Sequence, residues 1–348
     1  MSSDIEAALA NCSREPIHIP GAIQPFGVLL SLDPLNRRIE YCSANASTAF
    51  GINARRLLGA APNELLGADL LRDTPSGDFE PHEPVRIALT DGARERVWDV
   101  FVHRHRGHSI VELEATDVED LESSRPLRSS LRRAISELDS SHSVLELSER
   151  TCAAIRKLTG FDGVMIYKFH ADGHGEVIAE SKADEFVKYL GLHYPASDIP
   201  LQARAMFLSN WVRMIPARDY EPVPLLAAST TDEPLDLSRS LLRSVSPVHI
   251  EYLRNMGVAA SLTLSLIHNG ELWGLIGCHH YRSSNHVPFE TRAADGARNA
   301  RVARHRRRPC DPQRSSVRSA AESRLHRRAD KPAPTIARAI ERPPTMCR

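Results

Sequence analysis

SLTLSLIH (261–268), Asn269-Gly270 and ELWGLIGCHH (271–280) read as two strands joined by a two-residue turn. Asn-Gly supplies the positive φ angles that a type I′ hairpin turn requires. Alternation places Ser261, Thr263 and Ser265 on one face of the first strand and Leu262, Leu264 and Leu266 on the other. On the second strand it groups His279 with Trp273 and Leu275 and sends Cys278 and His280 to the opposite face. A strict turn at Asn269-Gly270 pairs Ala260 with His279, which separates Ser261 and Thr263 from His279. Just upstream, LLRSVSPVHIEYL (241–253) carries His249, Tyr252, Leu253 and, further on, Met256 at helical spacing, with His and Tyr on an otherwise apolar face. Earlier still, Val164–Phe169 and Glu176–Glu180 read as strands around a loop holding Asp172, Gly173 and Gly175, and a helix is predicted from about Asp184. The sum is an α+β unit, an antiparallel sheet flanked by helices.

The preceding part of the chain forms a smaller α+β unit. Phe26–Leu32 and Ile39–Ser43 flank turn residues Asp33, Pro34 and Asn36, and a helix follows from about Ala44 to Phe50. Val97, Asp99, Phe101 and His103 alternate, as does Ser109–Ala115, predicting a hairpin near the end of this domain. Residues 117–131 are charged and serine-rich around Pro126, which fits a linker into a helix carrying Leu138, Leu145, Leu147 and Ile155. From Asp295 the pattern gives way to Arg, Ser, Ala and Pro without an apolar face, and 306–348 reads as disordered.

Composition agrees with two domains: 348 residues, 42% hydrophobic, with 44 basic and 44 acidic side chains. The zero net charge hides an asymmetry. Residues 301–348 hold fourteen basic against four acidic side chains, and the first 300 hold 30 against 40. An acidic body argues against nucleic acid as a partner, since phosphate neutralisation needs a positive surface. No apolar run approaches the ~20 residues that span a bilayer, and the acidic start MSSDIEAALANCSREP does not resemble a signal peptide, so a soluble, cytoplasmic protein is expected. The six cysteines lack paired short spacings, which indicates neither a disulfide framework nor a zinc ribbon.

Few residues stand out for chemistry. Cys12 lies in a short polar segment near the start, an accessible thiol suited to covalent attachment or an incidental surface cysteine. Cys278, inside a strand, reads as a buried inert thiol. In LGLHYPASDIPLQARAMF (190–207), Asp198 and Ile199 precede Pro200, which pushes the chain towards extended conformations. That loop either presents a backbone carbonyl and a carboxylate to a ligand or merely enters the next helix with Asp198 as its cap. Arg213 and Arg243 suit carboxylate recognition through their planar forks, although surface ion pairs are the commoner fate of single arginines. The histidines show no metal-ligand spacing, and there is no nucleotide-binding glycine loop, G-x-S-x-G elbow or kinase signature.

Taken together, PIHIPGAIQPFG (16–27), GFDGVMIYKFHADGHGEVIAE (160–180), PASDIP (195–200), LRSVSPVHIEYLRNMGV (242–258) and LWGLIGCHH (272–280) resemble the chromophore-binding PAS and GAF domains of bacterial phytochromes. The likeness runs from about Cys12 to Arg292. It implies an N-terminal segment (1–14), a PAS domain (15–118), a linker (119–134), a GAF domain (135–304) and a basic tail (305–348). It also implies a figure-of-eight knot between the N-terminal segment and a GAF loop. The implied function is red/far-red light sensing by a covalently held linear tetrapyrrole whose ring D isomerises.

Residue by residue, Cys12 matches the cysteine that bonds ring A of biliverdin. Val248 stands where plant and cyanobacterial members carry their attachment cysteine, so biliverdin is the implied bilin. Asp198, with Ile199 and Pro200, matches the segment whose carbonyl accepts the pyrrole N–H groups, and His249 the histidine stacked on the inner pyrroles. Arg213, Arg243, Ser246, Ser261 and Thr263 match propionate-binding positions. His279 matches the histidine near the ring D carbonyl, and Tyr167, Tyr189, Tyr194, Phe207 and Tyr252 the aromatic wall around that ring. Phe207 and Thr263 depart mildly from the commonest family residues, tyrosine and serine. Because the propionate and ring D roles need Ser261, Thr263 and His279 near one pocket, a longer or bulged hairpin turn is predicted.

The resemblance further implies a homodimer through helices near 131–157 and 285–304, a haem oxygenase as the source of biliverdin, and no enzymatic activity in this part of the chain. HVPFETRAA (286–294) begins like the terminal GAF helix and then turns Arg-rich, the pattern of a frame-shifted reading or of a natural basic tail. The PHY and histidine kinase modules of a typical phytochrome are not in this sequence. Other readings are a GAF-type cyclic nucleotide or haem sensor without photochemistry, a metal-dependent hydrolase using His249, His279 and Cys278, and a non-functional frame-shifted product.

Overall fold

A computed structural model describes residues 15–34, 37–66, 84–90, 95–116, 138, 140–229, 234–282 and 284–287. Cys12, the linker, the basic tail and most of the second dimerisation helix lie outside the described residues. Two antiparallel sheets organise the rest. The first has the order β1-β11-β3-β2-β6-β5-β4. Its strands are β1 (Ala22–Ile23), β2 (Gly27–Leu32), β3 (Ile39–Ser43), β4 (Val85–Thr90), β5 (Glu95–His105), β6 (His108–Thr116) and β11 (Val223–Ala227). Short helices α1 (Ser47–Phe50), α2 (Ala54–Leu57) and α3 (Asn63–Leu66) close one face, where Phe50, Leu57 and Leu66 pack on Leu30, Trp98 and Leu113. The hairpin predicted near the domain's end is β5–β6, turning at Arg106-Gly107 with both φ angles positive.

The second sheet has the order β10-β12-β13-β7-β8-β9. It comprises β7 (Gly163–Phe169), β8 (Gly175–Lys182), β9 (His193–Tyr194), β10 (Val212–Ile215), β12 (Ala260–His268) and β13 (Glu271–His280), with helices α4 (Val144–Thr159), α5 (Leu201–Ser209) and α6 (Pro247–Asn255). α4 begins where the Ser143 hydroxyl accepts the Glu146 amide, and it ends at Gly160 with φ 70°. It buries Cys152 and Ile155 against Val164, Ile166, Leu262, Leu264, Ile276 and Cys278. Burial pushes the Cys152 thiol up to about 12, and Cys278 is fully buried as expected. The other face of the same strands is left for a cavity.

Register is decided inside the hairpin rather than at its turn. Asn269 (φ 54°) and Gly270 (φ 81°) form the two-residue turn, and His268 pairs with Glu271. A bulge follows: Ile267 pairs with Leu272 but Leu266 with Gly274, so Trp273 is the extra residue. Ser261 consequently pairs with His279, and the two share a face. Of the predicted longer or bulged turn, the structure keeps the turn at two residues and supplies the bulge, placed beyond the turn in β13. Trp273 is likewise not on the face of His279 and Leu275; the bulge turns it onto the α4 core.

Other expectations also change. No helix starts at Asp184: residues 184–186 form a turn and a bend, 187–189 are irregular, and the Glu180 carboxylate accepts the amides of Tyr189 and Leu190 (2.9 and 3.3 Å). Leu145 lies on the solvent face of α4, 55% exposed. Strands β10 and β11 occupy a stretch whose prolines concealed them.

The two halves interlock. β11, from the second half, pairs with β1 and β3 of the first sheet, and loop residues Leu235, Leu237 and Leu242 cover Leu29, Tyr41 and Ile110. Leu237 N–H donates to His18 O (2.8 Å), Leu225 N–H to Gly21 O (2.9 Å) and Gln24 N–H to Leu242 O (2.7 Å). These bonds fasten residues 18–24 to loop 225–242, the two segments a figure-of-eight knot would use. Gly27 is required there: a Cβ would stand 2.7 Å from Leu113 O and 2.6 Å from Leu242 Cδ2. Among the described residues no helix is long and apolar enough to cross a membrane.

Candidate functional site

The free face of the second sheet, α5, α6 and the loop 195–200 enclose a cavity of about 260 Å³. Pleating explains which strand residues reach it. Tyr167, Thr263, Leu275, Gly277 and His279 line it, while their neighbours Ile166, Leu262, Leu264, Ile276 and Cys278 point to α4. From α6 come His249 and Tyr252, and from its C-cap Met256, about one turn apart, on a helix started by Ser246, whose hydroxyl accepts the Val248 amide, and by Pro247 at its first position. Leu253, on the other side of α6, packs with Ile215 and Val258. Asp198, Ile199 and Pro200 line the opposite wall. Asp198 closes a 3₁₀ turn (Ala196–Asp198), and the cap position of α5 belongs to Pro200, so the capping alternative for Asp198 does not hold.

One end of the cavity is built for an anion. Arg243 is buried and Arg213 part-buried beside it. Arg213 donates through Nη2 to the Arg243 carbonyl, and Arg243 through Nη1 to Ile17 O (2.7 Å). Arg213 Nη1 and Arg243 Nε are buried without a hydrogen-bond partner. Loss of water lowers the Arg243 guanidinium to about 10, and loss of water together with the Arg243 charge lowers Arg213 well below its ordinary value. An incoming carboxylate would satisfy both donors and neutralise both charges. Ser246 and Thr263 add hydroxyls at this end, and Glu15 Oε2 accepts from Ser246 Oγ at 2.6 Å.

The other end is aromatic. Tyr167, Tyr189, Tyr194, Phe207 and Tyr252 all line the cavity, with Tyr167 and Tyr194 ring centroids 5.9 Å apart. Burial, then the Asp198 charge, raises the Tyr167 phenol to about 12, so it is a neutral donor; its oxygen is buried without a hydrogen-bond partner. Gly175 makes room for that ring, since a Cβ there would stand 1.7 Å from Tyr167 Cζ. His279 Nδ1 is also buried and unpartnered. Burial lowers His279 to about 4, helped by His249, and burial plus the Arg213 and Arg243 charges lower His249 to about 4. His249 lies deep in the fold yet presents an exposed surface, because that surface borders the cavity.

The structure therefore gathers Tyr167, Tyr189, Tyr194, Asp198, Ile199, Pro200, Phe207, Arg213, Arg243, Ser246, His249, Tyr252, Thr263 and His279 around one space. Ser261 is buried on the same strand face but outside the lining. Cys278 faces the α4 core, so it forms no joint site with His249 and His279. Sequence reasoning missed Glu15, Ile17 and Gln202, which are brought to the cavity by the interlocked segments and by α5. The available signal was their place in or beside segments already singled out: Ile17 and Gln202 lie within them and Glu15 next to one.

Comparison with known proteins places this architecture. Residues 12–116 match the family model described as PAS fold, and residues 143–295 that of the GAF domain. Cyanobacterial phytochrome B of Nostoc sp. is 43% identical over 292 residues, covering 82% of this chain and 39% of its own length. A bacteriophytochrome of Xanthomonas campestris pv. campestris is 42% identical over 278 residues, covering 78% of this chain and 43% of its own length. The crystal structure of the chromophore-binding domain of a Stigmatella aurantiaca bacteriophytochrome (Thr289His mutant, Pr state) superposes with a TM-score of 0.79 at 42% identity, covering 84% of this chain and 98% of that one. A PAS fold followed by a GAF domain around a cavity of this kind defines a phytochrome-type sensory module. The chain belongs to the bacteriophytochrome family, of which it carries the PAS–GAF portion. It spans about two fifths of the length of these curated relatives.

Proposed function

We propose that this chain is the sensory portion of a red/far-red photoreceptor that binds one biliverdin, covalently, through a thioether to Cys12. The observation that carries this reading is one cavity with two unsatisfied guanidinium donors at one end and an aromatic wall with unsatisfied Tyr167 and His279 atoms at the other. A linear tetrapyrrole has that polarity. Arg213, Arg243, Ser246 and Thr263 suit its two propionates, Asp198 and His249 its pyrrole nitrogens, and His279 a terminal ring carbonyl. Ser261, from its place outside the lining, supports this end rather than forming it. When bound, biliverdin supplies the light absorption and the ring D double bond that isomerises. The chain's own part is to orient and enclose it: four tyrosines, kept neutral, and Phe207 exclude water around one end while leaving hydroxyls that can change partners.

Reach supports the attachment point. Glu15 lines the cavity, and Cys12 is three residues away, a span of at most about 10 Å. The module itself performs no catalysis in this reading. It acts in the cytoplasm as a homodimer through its GAF helices, passes its signal to a separate output, and receives biliverdin from a haem oxygenase. The test is to incubate the full chain with biliverdin, denature it, and stain the gel with zinc. Fluorescent pigment on the wild type and none on Cys12→Ser is the expected result. A colourless wild type, or equal pigment on Cys12→Ser, overturns the covalent assignment, and tight binding of a cyclic nucleotide or haem instead supports a sensor without photochemistry.

A further inference from the structure

Glu112 lies in the middle of β6, fully buried, on the face of the first sheet that the second half of the chain covers. Its hydrogen bonds cross to the second half of the chain: it accepts the Ser240 hydroxyl and the amides of Leu241 and Leu242, both at 3.0 Å. The next residue is Arg243. Its carbonyl accepts from Arg213 Nη2 and from Gln24 Nε2 (3.4 Å), and Gln24 Nε2 also holds Met214 O at 2.9 Å. A continuous set of bonds therefore runs from a strand of the first domain, through three consecutive donors of the loop 240–242, to the backbone that carries Arg243, whose carbonyl in turn holds the Arg213 guanidinium at the anion end of the cavity.

The surroundings make the clamp unusual for a carboxylate. His103 Nδ1, from β5, stands 3.9 Å from Glu112 Oε2, and Glu114 lies two residues along β6. Two residues further along β5 His105 pairs with Asp236 (3.1 Å), the charges of His105 and Arg239 act on His103, and Glu112 favours the charged form of Arg213. Burial raises Glu112 to about 7 even though all three hydrogen bonds act to lower it. Such a group is costly to bury for folding alone, where an apolar residue would serve.

We infer that Glu112 is the positioning residue that aims Arg243 at the ligand's carboxylates, so that the first domain sets the preference of the cavity for an acidic ligand. This inference rests on the ligand reading above. The full chain carrying Cys12→Ser, so that binding stays reversible, is titrated by absorbance with biliverdin and with biliverdin dimethyl ester, whose propionates are capped. The parent prefers the diacid by about tenfold or more, the worth of a charge-assisted pair. Glu112→Gln lowers affinity for the diacid severalfold and leaves the ester unchanged, and Ser240→Ala does the same to a smaller degree. Equal losses for both pigments, or no loss, in either variant overturn the positioning role while leaving the ligand reading intact. A parent that binds neither pigment overturns both, and if Glu112→Gln does not fold, Ser240→Ala decides.

Discussion

His249 and His279 border the same cavity, and each is held near 4, below the ordinary 6.5 of an imidazole. With no ligand bound, the unfolded chain takes up these protons first as the pH falls through about 6.5. Stability is therefore complete above that value and declines until about pH 4, where the folded chain is protonated as well. Glu112 works in the opposite sense, its raised value favouring the folded chain at lower pH. Comparing His279→Gln with the wild type isolates the histidine: denaturant midpoints between pH 4 and 6.5 should fall less steeply in the variant, and parallel curves would contradict the assignment. At this scale the sequence was legible wherever a residue sat in a long motif, as Asp198, His249 and Arg243 do. Glu112 was not, because Glu112 and Glu114 alternate with Val111 and Leu113 like a solvent face. What covers Glu112 is a loop 128 residues away, which no local pattern reveals.

Two elements carry the cavity in different ways. β13 delivers His279 to the face of Thr263 only because Trp273 is an extra residue in the ladder. The Asn-Gly turn is locally ideal and gives no hint of it; the clue lay in the conflict between a strict register and the need to bring Ser261, Thr263 and His279 together. β8 contributes Gly175, the residue whose missing side chain lets the Tyr167 ring lie flat. Gly175→Ala should force that ring aside, costing about 1–3 kcal/mol in a chemical-denaturation midpoint and shifting the absorbance of bound biliverdin. Ser143→Ala is the contrasting case. It removes the cap of α4 on the far side of the sheet, and should cost about 1 kcal/mol without changing the absorbance. Equal spectral effects from both would contradict the division of the sheet into a core face and a cavity face. The helix expected from Asp184 failed for a related reason: Glu180 takes the backbone donors of residues 189 and 190.

As a whole molecule the chain is two sheets tied through each other rather than two domains in series. β11 completes the first sheet, and residues 17–24 are bonded to loop 225–244. Composition and the charged stretch around Pro126 suggest two domains in series, whereas the resemblance implied a knot; the order of strands shows the halves interlocked. A protease site inserted between Thr116 and Ser140 should therefore give two fragments that co-elute after cleavage and separate only in denaturant; separation under native conditions would contradict the interlock. The same arrangement places Glu15 and Ile17 at the cavity mouth beside Arg243, bringing the start of the chain to the ligand. The central claim is that this cavity holds a light-isomerised bilin, and the most direct measurement is the difference spectrum of the biliverdin-loaded chain before and after red light. The account predicts a red-absorbing band that bleaches on illumination and recovers in the dark or under far-red light. A bound pigment whose spectrum light leaves unchanged would contradict it.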